Sequence, residues 1–230
     1  AAAATTPEAG KALTARHTHK SRELVELITG APASIAVLAD THLRDDDEIE
    51  QLRAQLRLEG YDAIGTPGTY DPNTHRTTNG VLIVWDCSEV AIDEASLKVE
   101  LDGRIIQARA DIIRDGRMLD VFGVYMPCRS DCTDEEVETA WDVLDDAIAL
   151  ADAPIIGGDL NAEPPSWIER HGKGYKNADR RLRELLEERE MSAILTNQAT
   201  YRTGSLLDNW LTCDCSNSAF GAPHVLPGLG

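Results

Sequence analysis

Two strand-length apolar runs, GRIIQARADII (103–113) and RMLDVFGVYMP (117–127), are separated by Asp115-Gly116, a pair suited to a tight hairpin turn. The next segment, TDEEVETAWDVLDDAIALADA (133–153), opens with Thr133 and Glu136 in capping-box spacing and carries an apolar stripe at helical period. PIIGGD (154–159) then follows as another strand. A hairpin joins antiparallel neighbours directly, whereas a helical crossover joins strands that lie parallel. A chain that does both in succession builds mixed sheets with helices outside them, not a purely parallel doubly wound sheet. The expected class is therefore α/β with mixed sheets.

The rest of the chain extends this pattern. ASIAVLAD (33–40), NGVLIVW (79–85), SAILTN (192–197) and SLLDNWLTC (205–213) read as strands. DDDEIEQLRAQLRLEG (45–60) and ADRRLRELLEEREM (178–191) read as helices. No internal repeat or linker divides residues 31–230, which are expected to form one domain behind an atypical, polar arm over residues 1–30. No run is long and apolar enough for a membrane span, and the amino-terminal stretch lacks the apolar centre of a secretion signal.

Charge and cysteines restrict the partners. Forty acidic against 22 basic residues give a net charge of −18, which opposes nonspecific attraction to nucleic acid. The exception is ERHGKGYKNADRRLR (169–183), where six Lys/Arg outnumber two Asp/Glu. An anionic substrate would meet the chain there or beside a metal ion. Five cysteines, an odd number, are expected as reduced thiols. Cys128, Cys132, Cys213 and Cys215 lack the CxxC spacing of a zinc site.

Asp159 and Asn161 close the strand PIIGGDLN. Two residues apart, they share one face of an extended chain. The carboxylate can accept a proton from water, and the amide can hold an anionic oxygen without adding charge. Together they suit attack by water on an oxyanion-bearing centre such as phosphorus. The two glycines before them allow close backbone approach.

The motifs VLADTHL, NGVLIVW, VFGVYMPCR, IIGGDLNAEPPSW and TYRTGSLLDNW resemble, in order and separation, those of the endonuclease/exonuclease/phosphatase superfamily. More narrowly, they resemble the apurinic-type endonuclease domain of non-LTR (LINE-type) retrotransposons, across roughly residues 33–214. The resemblance implies a four-layer sandwich, two mixed sheets face to face with helices outside. It implies Mg²⁺, with Mn²⁺ as a substitute, held by Asp40, where the family has Glu. Tyr125 would touch the scissile phosphate, Asp159 would orient or deprotonate the water, and Asn161 would hold a phosphate oxygen. Asp208 matches the acid that orients the family's catalytic His. The implied reaction is metal-assisted phosphodiester hydrolysis that nicks one DNA strand and leaves a 3′-hydroxyl. A nuclear location follows for a retrotransposon endonuclease, with an organelle as the other setting.

Three departures accompany the resemblance. The sequence stops at APHVLPGLG, about where the family's Ser-Asp-His would come next, and His224 lies outside such a context. A chain cut just short of its catalytic His, impaired although the parent enzyme is active, is one expectation. The family's first-strand Asn has no counterpart, since the first Asn is Asn73. Asp40 is one methylene shorter than Glu. An alternative is therefore a catalytically inactive domain serving other protein or ribonucleoprotein subunits. A phosphomonoesterase on the same fold is a further alternative.

Asn79, Trp167, Lys173, Lys176, Asn177 and Arg180 are the expected substrate contacts, with loop packing as the rival role for Trp167 and turn chemistry for Asn79. His42 is expected on the surface or behind the metal ligands, and His17 and His19 in solvent. Asp45–Asp47 read as a helix start favoured by the dipole, not a calcium loop.

Overall fold

The computed structural model describes residues 22–30, 33–71, 76–128, 132–173, 176–194 and 207–213. His17, His19, His224, Cys215 and the first part of the TYRTGSLLDNW motif lie outside these residues. Residues 22–29 form α1, followed by β1 (Ile35–Ala39), α2 (Asp46–Leu58), β2 (Tyr61–Thr66), β3 (Thr69–Asp71), β4 (Arg76–Thr78), β5 (Val81–Asp86) and β6 (Val90–Glu100). After a short 3₁₀ turn come β7 (Ile105–Ile112), β8 (Arg117–Tyr125), α3 (Asp134–Ala149), β9 (Pro154–Asp159), α4 (Pro165–His171), α5 (Asn177–Glu188), β10 (Met191–Ile194) and β11 (Asp208–Cys213).

The strands form a three-stranded sheet, ordered β1-β5-β2, and a six-stranded sheet, ordered β10-β11-β9-β8-β7-β6. β7 and β8 pair antiparallel across the turn at Asp115-Gly116, where Gly116 has φ 67°. β8 and β9 pair parallel on either side of α3. The hairpin and the crossover thus coexist in one sheet, as the sequence requires.

Side-chain alternation with period two explains the layers. On β5, Val81, Ile83 and Trp85 face a core shared with Val121 of β8 and Ile155 of β9. Its other face, Leu82 and Val84, packs on Ile49, Leu52 and Leu56 of α2 and on Val25 and Ile28 of α1. On the large sheet, Phe122, Val124 and Ile156 face Trp141 and Leu144 of α3 and Leu182 and Leu185 of α5. Helices, small sheet, large sheet and helices make four layers, in agreement with the expected sandwich.

The polar arm expected to reach residue 30 is shorter, because 22–29 are helical and bury Val25 and Ile28. α3 carries the full capping box of Thr133 and Glu136. Asp45 caps α2 by accepting from the Glu48 N–H at 2.9 Å. β11 begins at Asp208, later than residue 205.

Candidate active site

The small sheet brings one carboxylate to the site, and the large sheet brings the others. Asp40 follows the last residue of β1 in a left-handed conformation, φ 54°. Its Oδ1 accepts the Asn79 N–H at 2.9 Å. The segments carrying these residues are zipped together, with the Thr41 N–H donating to the Gly80 carbonyl and the His42 N–H to that of Asn79. Asn79 is buried, φ 68°, and is spent on this junction at its backbone.

Three strand ends of the large sheet meet the same rim. Tyr125 ends β8 directly beside Asp159, and Asp208 begins β11 directly opposite Asp159. Residues 155 and 121 on the same two strands face the inter-sheet core, so period two places Asp159 and Tyr125 on that side. The glycines preceding Asp159 are both sterically required. A Cβ on Gly157 would sit 2.9 Å from the Trp210 ring, and one on Gly158, φ 129°, would sit 2.1 Å from the Val124 carbonyl oxygen.

Asp159 is mostly enclosed, and burial pushes its carboxyl up to about 6, with the facing Asp208 and then Asp40 adding to the rise and the Asn161 N–H opposing it. That N–H donates to Asp159 Oδ1 at 2.9 Å, while Asn161 Nδ2 donates to the Met126 carbonyl at 2.7 Å. One amide proton of Asn161 therefore fixes the side chain, and its second is available to a ligand. Burial also pushes the Tyr125 phenol up to about 12, with Asp40 and Asp159 contributing and Arg104 working against them. Tyr125 stays a neutral hydrogen-bond donor at any working pH. Asp40, Tyr125 and Asp159 thus feel one another at a single rim.

Two residues acquire weight that sequence reading did not give them. The Arg104 guanidinium lies over the Tyr125 ring, 5.3 Å from its centroid, and the Arg104 carbonyl accepts the Tyr125 N–H at 2.8 Å. A lone Arg at the start of a strand carries no signal in sequence; only the pairing of β7 with β8 brings it here. His42, expected on the surface or behind the ligands, places Nε2 3.4 Å from Asp40 Oδ2.

The residues of α4, α5 and the segment between them are engaged otherwise. Trp167 is buried and packed on His171, ring centroids 4.3 Å apart; a ring so enclosed packs its loop and offers no face to a base, which corrects the stacking expectation. Lys173 Nζ is 2.7 Å from Glu163 Oε1, and Asn177 donates to Glu138. Arg180 donates to Asn177 Oδ1 at 2.8 Å, and Lys176 donates its backbone N–H to Asp179; both side chains remain exposed. Arg181 pairs with Glu138, Asp142 and Glu184. Much of the basic run is neutralised within the chain.

Among the described residues, no group of three or more His, Cys, Asp or Glu side chains converges to cage a metal ion. The donor set fits instead a hard divalent ion that keeps most of its waters and takes one or two carboxylates. Asp208 and Asp40 add to the rise that burial imposes on Asp159, and such an ion would offset this crowding of negative charge. Cys87, Cys128 and Cys132 form no disulfide, whereas Cys213 is disulfide-bonded; it is neither the reduced thiol expected nor a zinc ligand.

This four-layer arrangement is the fold of the endonuclease/exonuclease/phosphatase superfamily. Residues 119–219 match the family described as endonuclease-reverse transcriptase. Among solved structures, the chain is similar to the 3′ phosphatase NExo from Neisseria, with 18% identity, TM-score 0.59, and 87% of this chain and 84% of that one covered. It is similar to the AP endonuclease LMAP from Leishmania major, with 13% identity, TM-score 0.56, and 90% and 76% covered. It is also similar to the mannosyl-6-phosphatase Bt3783 from Bacteroides thetaiotaomicron, with 12% identity, TM-score 0.60, and 87% and 80% covered. No curated protein matches the chain. At these identities the solved structures share the fold of this chain. Among the described residues, no helix is long and apolar enough to cross a membrane.

Proposed function

We propose that this chain hydrolyses phosphodiesters with a divalent metal ion and nicks DNA in the manner of a retrotransposon endonuclease. The observation that carries this reading is the convergence of Asp40, from the small sheet, with Tyr125 and Asp159, from the large one. Asp159 orients the attacking water and takes its proton, a task suited to a carboxyl raised to about 6. The free amide proton of Asn161 and the phenol of Tyr125 hydrogen-bond phosphate oxygens. Arg104 adds positive charge where negative charge grows in the transition state. A divalent ion held at Asp40 supplies further neutralisation of the phosphate when bound. DNA is the partner in this reading, and access to it sets the compartment.

Supercoiled plasmid incubated with Mg²⁺ or Mn²⁺ tests the reading. Wild-type protein is expected to produce nicked circles, and Asp159→Ala to lose about 10²–10⁴-fold in rate. Equal background from the two proteins would overturn it. Phosphate release from a 3′-phosphorylated oligonucleotide, without nicking, would point to a phosphomonoesterase.

A second reading, a catalytically silent module that docks protein or ribonucleoprotein subunits, draws on one observation. The ion pairs of Lys173 and Arg181 remove cations that DNA would need.

A further inference from the structure

The surroundings of His42 are unusual for a histidine on a loop. Its Nδ1 lies 2.6 Å from the Thr77 carbonyl oxygen. A carbonyl only accepts, so Nδ1 carries the proton. The other ring nitrogen, Nε2, faces Asp40 Oδ2 at 3.4 Å. In the neutral imidazole Nε2 is an acceptor, so it and Asp40 Oδ2 face each other as two lone-pair donors, an arrangement that a proton, a water or a cation can satisfy.

We propose that Nε2 of His42 and the carboxylate of Asp40 hold the divalent ion together, and that this mixed nitrogen–oxygen pair makes the site prefer a transition ion such as Co²⁺ to Mg²⁺. The inference rests on the metal-dependent reading above and specifies which ion the chain selects. Two donors about 2.1 Å from one ion at right angles stand about 3.0 Å apart, so a 3.4 Å separation is one that a single ion can bridge with slight widening.

The outer hydrogen bonds agree with this assignment. A metal-bound histidine characteristically donates its other N–H to a carbonyl or carboxylate, which fixes the tautomer and the ring plane. Thr77 supplies that carbonyl from β4. Two residues later the Asn79 N–H occupies Asp40 Oδ1, leaving Oδ2 as the oxygen turned to His42. One short stretch, 77–79, therefore aims both donors. Asp40 and His42 both adopt left-handed backbone, φ 54° and 57°, a conformation that is costly for a non-glycine residue and collects at functional sites. Between them the Thr41 hydroxyl is buried with no hydrogen-bond partner. Mg²⁺ takes oxygen ligands and sheds water reluctantly, whereas imidazole favours ions further along the first transition row.

Isothermal titration calorimetry of the full chain with Co²⁺ and with Mg²⁺ tests this directly, with no need for turnover. Asp40→Ala defines the background from thiols and other histidines. The wild-type site is expected to bind Co²⁺ at least ~10-fold more tightly than Mg²⁺. His42→Ala should lose about 10-fold or more for Co²⁺ and change Mg²⁺ less than about 3-fold. His42→Gln, which keeps a polar group there, should likewise lose the preference, and circular dichroism checks that the variants fold. If His42 is instead a protonated partner of Asp40, it competes with the metal; His42→Ala would then bind both ions as tightly or more tightly, which would overturn the inference alone. If the wild type binds neither ion above the Asp40→Ala background, the metal-dependent function falls with it.

Discussion

Asp159 is kept in surroundings that favour its neutral form, at a cost in stability. Its carboxyl titrates near 6 in the folded chain against an ordinary 3.8, so the native state binds an extra proton between those values. The stability that this one carboxyl contributes is therefore fully present below pH 3.8 and is lost as pH rises through 6. Asp159→Asn, which mimics the neutral form, is expected to stabilise the metal-free protein at pH 7 by about 2–3 kcal/mol. The gain should fade between pH 6 and 4; chemical denaturation at several pH values checks it. The pairing of Asp159 with Asn161 was legible from their spacing but not for the reason of strand period, since β9 ends at Asp159 and Asn161, φ 47°, turns its backbone N–H back to the carboxylate. His42 was not, since its meaning depends on a carbonyl 35 residues away in sequence. Trp167 was legible only as a choice between loop packing and stacking, as an aromatic beside a Pro-Pro turn reads the same whether its face is open or covered, and the structure selects packing.

At the scale of elements, the site depends on how closely β8 and β9 approach. Gly158 pairs with Val124 in the parallel register, and the next pair along is Tyr125 with Asp159. Gly158→Ala would force a Cβ to 2.1 Å from the Val124 carbonyl and strain a φ of 129°. It is expected to cost about 2–4 kcal/mol and to separate Tyr125 from Asp159, lowering activity even where folding is retained. Thermal unfolding and plasmid nicking on the same preparation measure both effects. The strands β5, β7, β8 and β9 were legible as apolar runs. β6 was not, because Val90–Glu100 lies at the sheet edge, is mostly exposed, and shifts register between Asp93 and Lys98. α4 escaped because its prolines look like a turn, although Pro165 starts the helix.

For the molecule as a whole, a net charge of −18 and a basic run in which Lys173, Arg181 and Arg183 pair with the chain's own acids leave few cations for phosphates. Each phosphate contact contributes about −0.9 to the slope of log affinity against log salt. DNA binding is accordingly expected to show a slope no steeper than about −3 between 50 and 200 mM salt. Fluorescence anisotropy with a labelled duplex measures it, and a much steeper slope would reveal a cationic face that the described residues do not present. The mixed-sheet architecture was readable from one hairpin followed by one crossover. How the two sheets seat on each other was not, for it depends on which apolar residues meet across the interior.

That seating has an implication for how such a chain can change over time. Asp40 rides on one sheet and Asp159 on the other, and apolar residues such as Ile83 and Val121 pack between the sheets. A swap of one aliphatic side chain for another in that layer alters the reach from one carboxylate to the other while substituting no polar group. The geometry of the rim can thus drift, or be bred, from deep inside the protein.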